Sequence, residues 1–429
     1  MTVTGKWISS DSHLNEVPAT WERVKKKHGD LAPKVVSTGT GTFLVIEGWT
    51  DPPKTLRSGD RDLLGDAADV GPNAYVEEIT HDYIGLAMNK KGQSASEVRE
   101  TWRGKTGSFT TAGSEAAVEF QKTFRQEDYP SGGWEPAARL EAQDADNVAA
   151  EVLYPSFLCR IYPMSVTNEP FFHDIVDSYN EWVIDFCNYN PKRLIAQPVL
   201  SVLNPERAAA DLRKYAARGV KACGIASSVP LGTSYGDPKF DPIWVAADEC
   251  DMVLAMHQNL GGFKHLSSNL DVLGATDPLT GRQNVRQFMG PQMELIVTLA
   301  ELIYGGVFDR FPSLTIVAAE FDVGWLGHKY QRRLQFNPAL GLELAPSEYL
   351  ARNFRFTFQD DRAGCLLASP LFGEDNFMWA SDFPHPATTW PNSRADLDRQ
   401  FKDISDEVRS KITVENVMSV YDLDPTVLT

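Results

Sequence analysis

The sequence predicts an α/β fold, a (β/α)8 barrel of the TIM-barrel class with a large insertion after its first strand. Two observations lead to this prediction. Short apolar runs alternate with longer segments of helical periodicity in the second half of the chain, a pattern typical of parallel βα units. Eight such runs are present when a first strand near Lys6–Ser10 is included, and eight βα units can close into a barrel.

The other seven predicted strands are short and rich in β-branched or other apolar residues. They are Glu151–Tyr154, Leu194–Leu200, Val220–Ile225, Met252–Met256, Leu314–Ala319, Phe354–Phe358 and Phe377–Ala380. Helices are predicted between them. The clearest is Pro205–Arg218, which follows Asn204 as an N-cap and ends at Gly219. Asn180–Tyr189 and Gln292–Tyr304 have the same character.

A long interruption separates the first two predicted strands. The stretch from His13 to Ala149 is much longer than one βα connection requires, and it is rich in turn residues. We therefore predict a barrel formed by residues 1–20 and 145–429, with a partly helical insertion at residues 21–144 over the face where strands end. The insertion is interpreted either as a lid or partner surface, or as a decoration without function.

Composition excludes several classes of function. The 429-residue chain has a formal net charge of −17, which argues against general nucleic-acid binding and against docking on anionic lipid. It contains no run of about 18 apolar residues, and its first residues lack the apolar core of a secretory signal, so we expect no membrane span. The five cysteines are widely spaced and form no C-x-x-C motif, which favours reduced thiols and a cytoplasmic location.

Three polar signals fall where predicted strands end. Asp11 and His13 are two residues apart, so on an extended strand they point the same way and can hold one cation together. His257 follows the fifth strand and Asp382 follows the eighth. Each alone has an ordinary interpretation as a turn, a packed histidine or a helix cap. Together, on one rim of a barrel, they predict a site for Zn, Mn or Fe.

The motifs around these residues resemble the amidohydrolase superfamily, in the amidohydrolase 2 branch that contains aminocarboxymuconate-semialdehyde decarboxylase and related aromatic-acid decarboxylases. The resemblance covers most of the chain. It implies a (β/α)8 barrel and a divalent metal on Asp11, His13, His257 and Asp382, with Asp382 also acting as base for a metal-bound water. The motifs are Asp11-Ser12-His13 with Glu16 and Pro18, Tyr129–Trp134, Val152–Pro155, Met256-His257, Glu320 with Gly324-Trp325, and Ser381–His385 with Thr389–Pro391.

One departure from the branch concerns the end of strand 6, where the decarboxylases commonly have a histidine and this chain has Glu320. A carboxylate is a poorer proton shuttle at neutral pH unless burial raises its pKa, but it is a better cation ligand. Lys221 lies near the start of its strand, so it does not match the bridging lysine of two-metal hydrolases. Glu320 and His328 are the candidates for a second ion, and His328 is alternatively a structural residue at a helix start. With Asp382, these two complete the candidate catalytic set.

Further residues have two interpretations each. Glu16 either orients His13 through a hydrogen bond or caps the helix near Pro18–Arg23. His385 either faces the pocket or closes its own loop. Four aromatic residues either line the pocket or belong to the core, namely Tyr154, Trp134, Trp325 and Trp390.

The first functional hypothesis is a metal-dependent hydrolase that activates water to cleave an amide, ester, thioester or activated C–C bond of a carbonyl-containing small molecule. The alternative is a metal-dependent, non-oxidative decarboxylase of an aromatic or unsaturated carboxylic acid. A third is a barrel that binds a ligand without turnover. Zinc is the expected ion, with iron and manganese as alternatives and a second ion as an option. The resemblance implies a homodimer, and neither nucleic acid nor membrane is expected as a partner.

Overall fold

The computed structural model describes residues 5–37, 42–48, 74–78, 130–261, 283–326, 341–385 and 388–429. Within these ranges the chain forms eleven strands. They are β1 (Trp7–Leu14), β2 (Pro33–Ser37), β3 (Thr42–Ile46), β4 (Tyr75–Glu78), β5 (Val148–Pro155), β6 (Leu194–Ala196), β7 (Ala222–Ile225), β8 (Val253–His257), β9 (Ile316–Ala319), β10 (Phe354–Phe358) and β11 (Phe377–Trp379).

Eight of these strands overlap the eight predicted from the sequence, with bounds that differ by up to four residues, and all eight pair in parallel. One array has the order β1-β5-β6 and the other β7-β8-β9-β10-β11. Near one junction of the two arrays, the Leu200 amide donates to the Gly224 carbonyl at 2.8 Å. At the other junction the Asp382 amide donates to the Asp11 carbonyl at 3.0 Å. The predicted (β/α)8 architecture is thereby confirmed.

Helices connect the strands and follow the last of them. They are α1 (Glu22–His28), α2 (Pro136–Ala145), α3 (Phe157–Ile161), α4 (Glu169–Cys187), α5 (Pro205–Ala216), α6 (Asp241–Glu249), α7 (Gln283–Tyr304), α8 (Val307–Arg310), α9 (Pro346–Asn353), α10 (Ser369–Phe372), α11 (Ser393–Gln400), α12 (Asp406–Ser410) and α13 (Asn416–Val420). Helix α5 begins as predicted, because the Asn204 side chain accepts from the Arg207 amide. In the described ranges no helix combines the length and apolarity needed to cross a membrane.

Alternation along the strands divides the core into two layers. Val317 and Ala319 of β9 belong to an inner cluster inside the barrel, whereas Ile316 and Ala318 pack in the outer cluster with the helices. The end where strands begin is covered by the C-terminal segment. Lys221, just before β7, forms an ion pair with Asp422 at 2.7 Å and therefore lies on the rim opposite the polar strand ends, as the sequence predicted.

The stretch predicted to be a partly helical insertion contains a β-sheet as well as helices. Strands β2, β3 and β4 form an antiparallel sheet, with β3 in the middle, and helices α1 and α2 lie on either side of it in the sequence. This sheet was not predicted, although the short runs Pro33–Ser37 and Thr42–Ile46, separated by glycine-containing turn residues, have the pattern of a β-hairpin. The division into a barrel and an insertion at residues 21–144 stays a prediction.

Candidate metal centre

Alternate residues of each strand face the barrel interior, and this alternation places the predicted residues at the mouth of the barrel. His257 is the last residue of β8 and continues the inward-facing series of Val253 and Ala255. Asp382 lies four residues beyond Met378, an inward-facing residue of β11. Asp11 lies in the fully buried strand β1. The sequence places polar groups at the ends of apolar strands, and parallel pairing then brings those ends together.

Five of the predicted site residues form one continuous cluster. The Nε2 atom of His13 lies 3.4 Å from Asp382 Oδ1 and 3.6 Å from Asp11 Oδ1. The Nε2 atom of His257 lies 3.4 Å from Asp11 Oδ2 and 3.2 Å from Glu320 Oε2. The ligand atoms fall into two overlapping groups that share His13, each with all its atoms within 4.8 Å of one another: Asp11, His13, His257 and Glu320; and His13, Asp382 and His385.

The donor atoms of this cluster suit a divalent cation. Both carboxylate oxygens of Asp11 and of Asp382 are buried without a hydrogen-bond partner among the described residues, and so is Nε2 of both His13 and His257. Buried polar atoms are rarely left unsatisfied, and acids are rarely buried without a cation. Imidazole nitrogen and carboxylate oxygen are ligands that zinc, manganese and iron all accept. The residues present therefore fit the divalent metal expected from the sequence.

Hydrogen bonds on the far side of each imidazole fix the orientation of its ring. Nδ1 of His13 lies 3.0 Å from the Pro155 carbonyl, and Nδ1 of His257 lies 2.7 Å from the Gln258 carbonyl. A carbonyl can only accept, so Nδ1 carries the proton and Nε2 is left as the lone-pair donor towards the cluster. This is the tautomer that metal ligation by Nε2 requires.

Burial disfavours the charged form of His13 and of His257, but the net shift of the pKa has opposite sign at the two residues. Burial lowers the pKa of His13 well below the usual value, and the neighbouring His385 and His257 act in the same direction. Burial also disfavours the charged form of His257, but Asp11, Cys159 and Glu320 together outweigh it and raise the pKa of His257 well above the usual value. Of these two imidazoles, His13 is therefore the one whose neutral form is favoured.

Burial makes the charged form unfavourable at two acids of the cluster, Asp11 and Glu320. Burial raises the pKa of Asp11, although His257 opposes the shift. Burial, together with the negative charge of Asp382 and then of Asp11, raises the pKa of Glu320 to about 8. A divalent cation would supply the positive charge that balances these carboxylates.

His385 faces the cluster, which is the first of its two predicted placements. Its ring stacks on His13 with centroids 3.7 Å apart, and its Nδ1 lies 3.1 Å from Asp382 Oδ1. Its Nε2 lies 3.0 Å from Ser156 Oγ. His385 and Glu320 are the cluster members with substantial side-chain exposure, 20% and 17% respectively, whereas Asp11, His13, His257 and Asp382 are sealed at 3% or less.

The backbone at two strand ends takes an unusual conformation. Glu320 has φ 62° and Asp382 has φ 56°, in the left-handed region that favours glycine. Aspartate tolerates this region better than glutamate does, because its short side chain can bond locally. Residues held in this way cluster at functional sites.

Both predictions for Glu16 are wrong. Its carboxylate forms no hydrogen bond with His13 and does not cap the helix near Pro18–Arg23. Instead it accepts hydrogen bonds from the amides of Ser156, Phe157 and Leu158 at 2.9–3.2 Å and so holds the first turn of α3. The His13 ring is oriented by the Pro155 carbonyl, which immediately precedes that turn.

The remaining predicted residues divide between core and periphery. Tyr154 is fully buried with its ring centroid 5.0 Å from that of His257, so it forms the wall beneath the cluster. The indoles of Trp325 and Trp390 donate to backbone carbonyls of Phe321 and Ala142, and Trp134 packs against the outer core. His328, a candidate catalytic residue, lies outside the described residues.

Behind the cluster lies a buried ion pair that was not predicted from the sequence. Arg139 of α2 and Glu151 of β5 are in direct contact, and both side chains are sealed from solvent. A signal was available, since Glu151 is the one charged residue in the otherwise apolar run Val148–Tyr154, and an acid in a buried strand needs a partner.

Comparisons with known proteins agree with this geometry. A 2-amino-3-carboxymuconate-6-semialdehyde decarboxylase of Dictyostelium discoideum is 22% identical over 316 residues, 71% of this chain and 80% of that protein. The crystal structure of an amidohydrolase from Mycobacterium avium subsp. paratuberculosis superposes with a TM-score of 0.69 at 20% identity, covering 97% of this chain and 99% of that one.

A dihydroxybenzoic acid decarboxylase from Polaromonas sp. JS666, solved with bound manganese and the inhibitor 2-nitroresorcinol, gives a TM-score of 0.53 at 16% identity over 76% of this chain and 93% of that one. The amidohydrolase family model matches residues 102–423, most of the chain and all of the barrel strands after the first. Because the match is this extensive and the polar strand ends meet as the resemblance implied, the chain belongs to the amidohydrolase family.

Proposed function

We propose that this protein is a metal-dependent, non-oxidative decarboxylase of an aromatic or unsaturated carboxylic acid. Two kinds of relative support the proposal. The Dictyostelium protein, which this chain matches over most of both lengths, is a decarboxylase of an unsaturated carboxylic acid, and the Polaromonas neighbour is a decarboxylase of an aromatic one. This reverses the order of the two hypotheses drawn from the sequence, where hydrolysis came first.

The observation that carries the proposal is the contrast in exposure within the cluster. Four sealed side chains (Asp11, His13, His257 and Asp382) are placed to hold an ion, while Glu320 and His385 keep an open side. A bound divalent ion would neutralise the substrate carboxylate and an adjacent oxygen. The two open residues would then contact the substrate.

We assign the proton transfer to Glu320. When the bond between the ring or vinylic carbon and the carboxylate breaks, CO2 leaves and the electron pair stays on that carbon. Glu320 would deliver the proton that this pair takes up, in place of the strand-6 histidine common in such decarboxylases, and would regain a proton from solvent. His385, fixed by Asp382 and Ser156, would orient the substrate against the stacked His13 ring.

Turnover in isotopically labelled water tests the proposal. The purified, metal-loaded protein is incubated with hydroxybenzoic acids and unsaturated carboxylic acids in D2O and, separately, in H2(18)O. We expect CO2 release and one deuterium at the carbon that carried the carboxylate. Turnover that places 18O in a product carboxylate without releasing CO2 would contradict decarboxylation.

Hydrolysis is kept as the second candidate because of one residue. Glu320 occupies the place of the usual histidine, and a carboxylate there suits a cation ligand as well as an acid. In that reaction Asp382 would accept the proton of the attacking water.

A barrel that binds a ligand without turnover is the third candidate. Substoichiometric metal after purification without chelator, with no recovery of activity on adding Zn, Mn or Fe, would favour it.

The identity of the ion, the compartment and the oligomeric state are proposals too. Zinc fits two imidazoles and carboxylates, and so does the manganese found in the Polaromonas structure. All five cysteines are free thiols, which suits a reducing compartment such as the cytoplasm. The expected homodimer can be checked by sedimentation.

A further inference from the structure

We propose that the buried Arg139–Glu151 pair is a positioning device that sets the distance between the two strand ends carrying His13 and Asp382, and so determines how tightly the metal is held. This inference rests on the metal site of the proposed function. It assigns a role to α2, which lies within the stretch that the sequence attributes to an insertion.

The guanidinium of Arg139 reaches both strand ends at once. Nη1 donates to the backbone carbonyl of His13 at 2.8 Å, and Nη2 donates to the backbone carbonyl of Phe383, the residue after Asp382, at 3.2 Å. The same Phe383 carbonyl accepts from the His13 amide at 2.7 Å. Because a guanidinium is planar and rigid, its two nitrogens fix the separation of the two carbonyls.

The carboxylate of Glu151 holds the same two segments through hydroxyl groups. Its Oε1 accepts from Ser12 at 2.9 Å and from Ser381 at 3.5 Å, and these two hydroxyls lie 3.0 Å apart. Ser12 is the residue before His13 and Ser381 is the residue before Asp382. The other carboxylate oxygen of Glu151, Oε2, accepts from Arg139 Nε and from Gln143 Nε2.

Four bonds of this device therefore end at or beside a proposed ligand, at His13, Phe383, Ser12 and Ser381. Nη1 of Arg139 also donates to the Gly132 carbonyl at 3.2 Å. Arg139 is fully buried, and its guanidinium also lies over the Phe383 ring, with Cζ 4.7 Å from the centroid. A charge buried this deeply is costly unless it is fully bonded, so the arrangement has one well-satisfied geometry. Outer partners of metal ligands affect metal affinity by holding ligands in the productive position.

The test compares metal affinity in two conservative variants. Arg139→Lys keeps the charge opposite Glu151 but cannot reach both carbonyls. Arg193→Lys is the matched control, because the Arg193 guanidinium also donates to backbone carbonyls of β5, those of Val148 and Ala149, but at the start of the strand, far from the cluster. The dissociation constants of Zn2+ and Mn2+ are measured by competition with a chromophoric chelator, beside thermal unfolding of the metal-free proteins.

We expect R139K to weaken metal binding about 10–100-fold and to change the visible spectrum of the cobalt-substituted protein, while R193K binds metal as the wild type does even if it unfolds at a lower temperature. Ser381→Ala removes one hydroxyl bonded to Glu151 with little effect on packing. Its metal affinity tests the proposal if R139K does not fold. We expect S381A to weaken metal binding in the same direction.

An unchanged metal dissociation constant in folded R139K, or in S381A, would overturn the proposal. Equal weakening in R193K would also overturn it, since the effect would then follow general destabilisation. Failure of the proposed function is distinguishable, because a wild-type protein that binds no metal refutes the site itself and not the role of Arg139.

Discussion

Asp146 allows the effect of pH on stability to be worked out from the structure. This residue ends α2, and its side chain is buried against the first turn of α11, where it accepts from the amide and the hydroxyl of Ser393. Burial raises the pKa of Asp146 from 3.8 to about 7, despite the opposing hydrogen bonds from Ser393. The folded protein therefore binds this proton more tightly than the unfolded chain does.

The sign of the effect follows from linkage. The stability that Asp146 contributes is fully present below pH 3.8 and is lost as the pH rises to about 7. At about 1.4 kcal/mol per pH unit, the interval from 3.8 to about 7 corresponds to at most about 4 kcal/mol. Asp146→Asn imitates the protonated acid, and the Ser393 hydroxyl can turn to accept from the new amide while donating to Thr389, whose hydroxyl lies 2.6 Å away.

We expect D146N to be more stable than the wild type at pH 8, by up to about 4 kcal/mol, with a gain that shrinks steadily between pH 7 and pH 5. Urea unfolding of both proteins at pH 5, 6, 7 and 8 measures the difference. Asp144→Asn is the control, because its carboxylate is 69% exposed and pairs with Arg193 in solvent, so neutralising it removes no cost of burial. A gain for D146N that is constant with pH, or largest at pH 5, would refute the reasoning.

Three further predictions concern the metal centre. His257→Ala should lose bound metal and activity together, by more than the about 10–100-fold that removing an outer partner costs, as measured by metal analysis with His173→Ala as control; metal retention would show that His257 is not a ligand. Under the second candidate, hydrolysis, Asp382→Asn should lower kcat about 100-fold or more without unfolding the protein, because an amide cannot accept the proton of the attacking water; a normal kcat would exclude that role. Glu320→Gln should leave one metal per chain but abolish deuterium delivery to the product, whereas a fall from two ions to one would identify Glu320 as a bridge.

The architecture and the convergence of the site could be predicted from the sequence because both follow from local patterns. Each barrel strand after the first is a short, largely apolar run, and His257 and Asp382 each stand just past the end of one such run. Parallel strands share a carboxyl-terminal rim, so residues far apart in the chain had to meet once the barrel was inferred. Only chain order and periodicity enter that argument.

What could not be predicted depends on side chains reaching across long sequence separations. Glu16 stands close to His13 in the chain, which suggested a bond between them, but its carboxylate is held by amides of Ser156 to Leu158. Arg139 and Phe383 are likewise brought together by the packing of α2 on the barrel. No periodicity encodes which amide or carbonyl a buried charge will find, because that choice depends on rotamers and on the path of the surrounding backbone.

The left-handed backbone conformation at Glu320 lowers the stability of the fold, whereas the side chain at this position is needed for the proposed reaction. A glycine there would relieve about 1 kcal/mol or more of backbone strain while deleting the group that we assign to proton delivery. Selection of this chain for heat resistance alone would thus favour loss of the acid at its own reaction centre. A thermostable variant obtained without an activity screen should be sequenced at this position first.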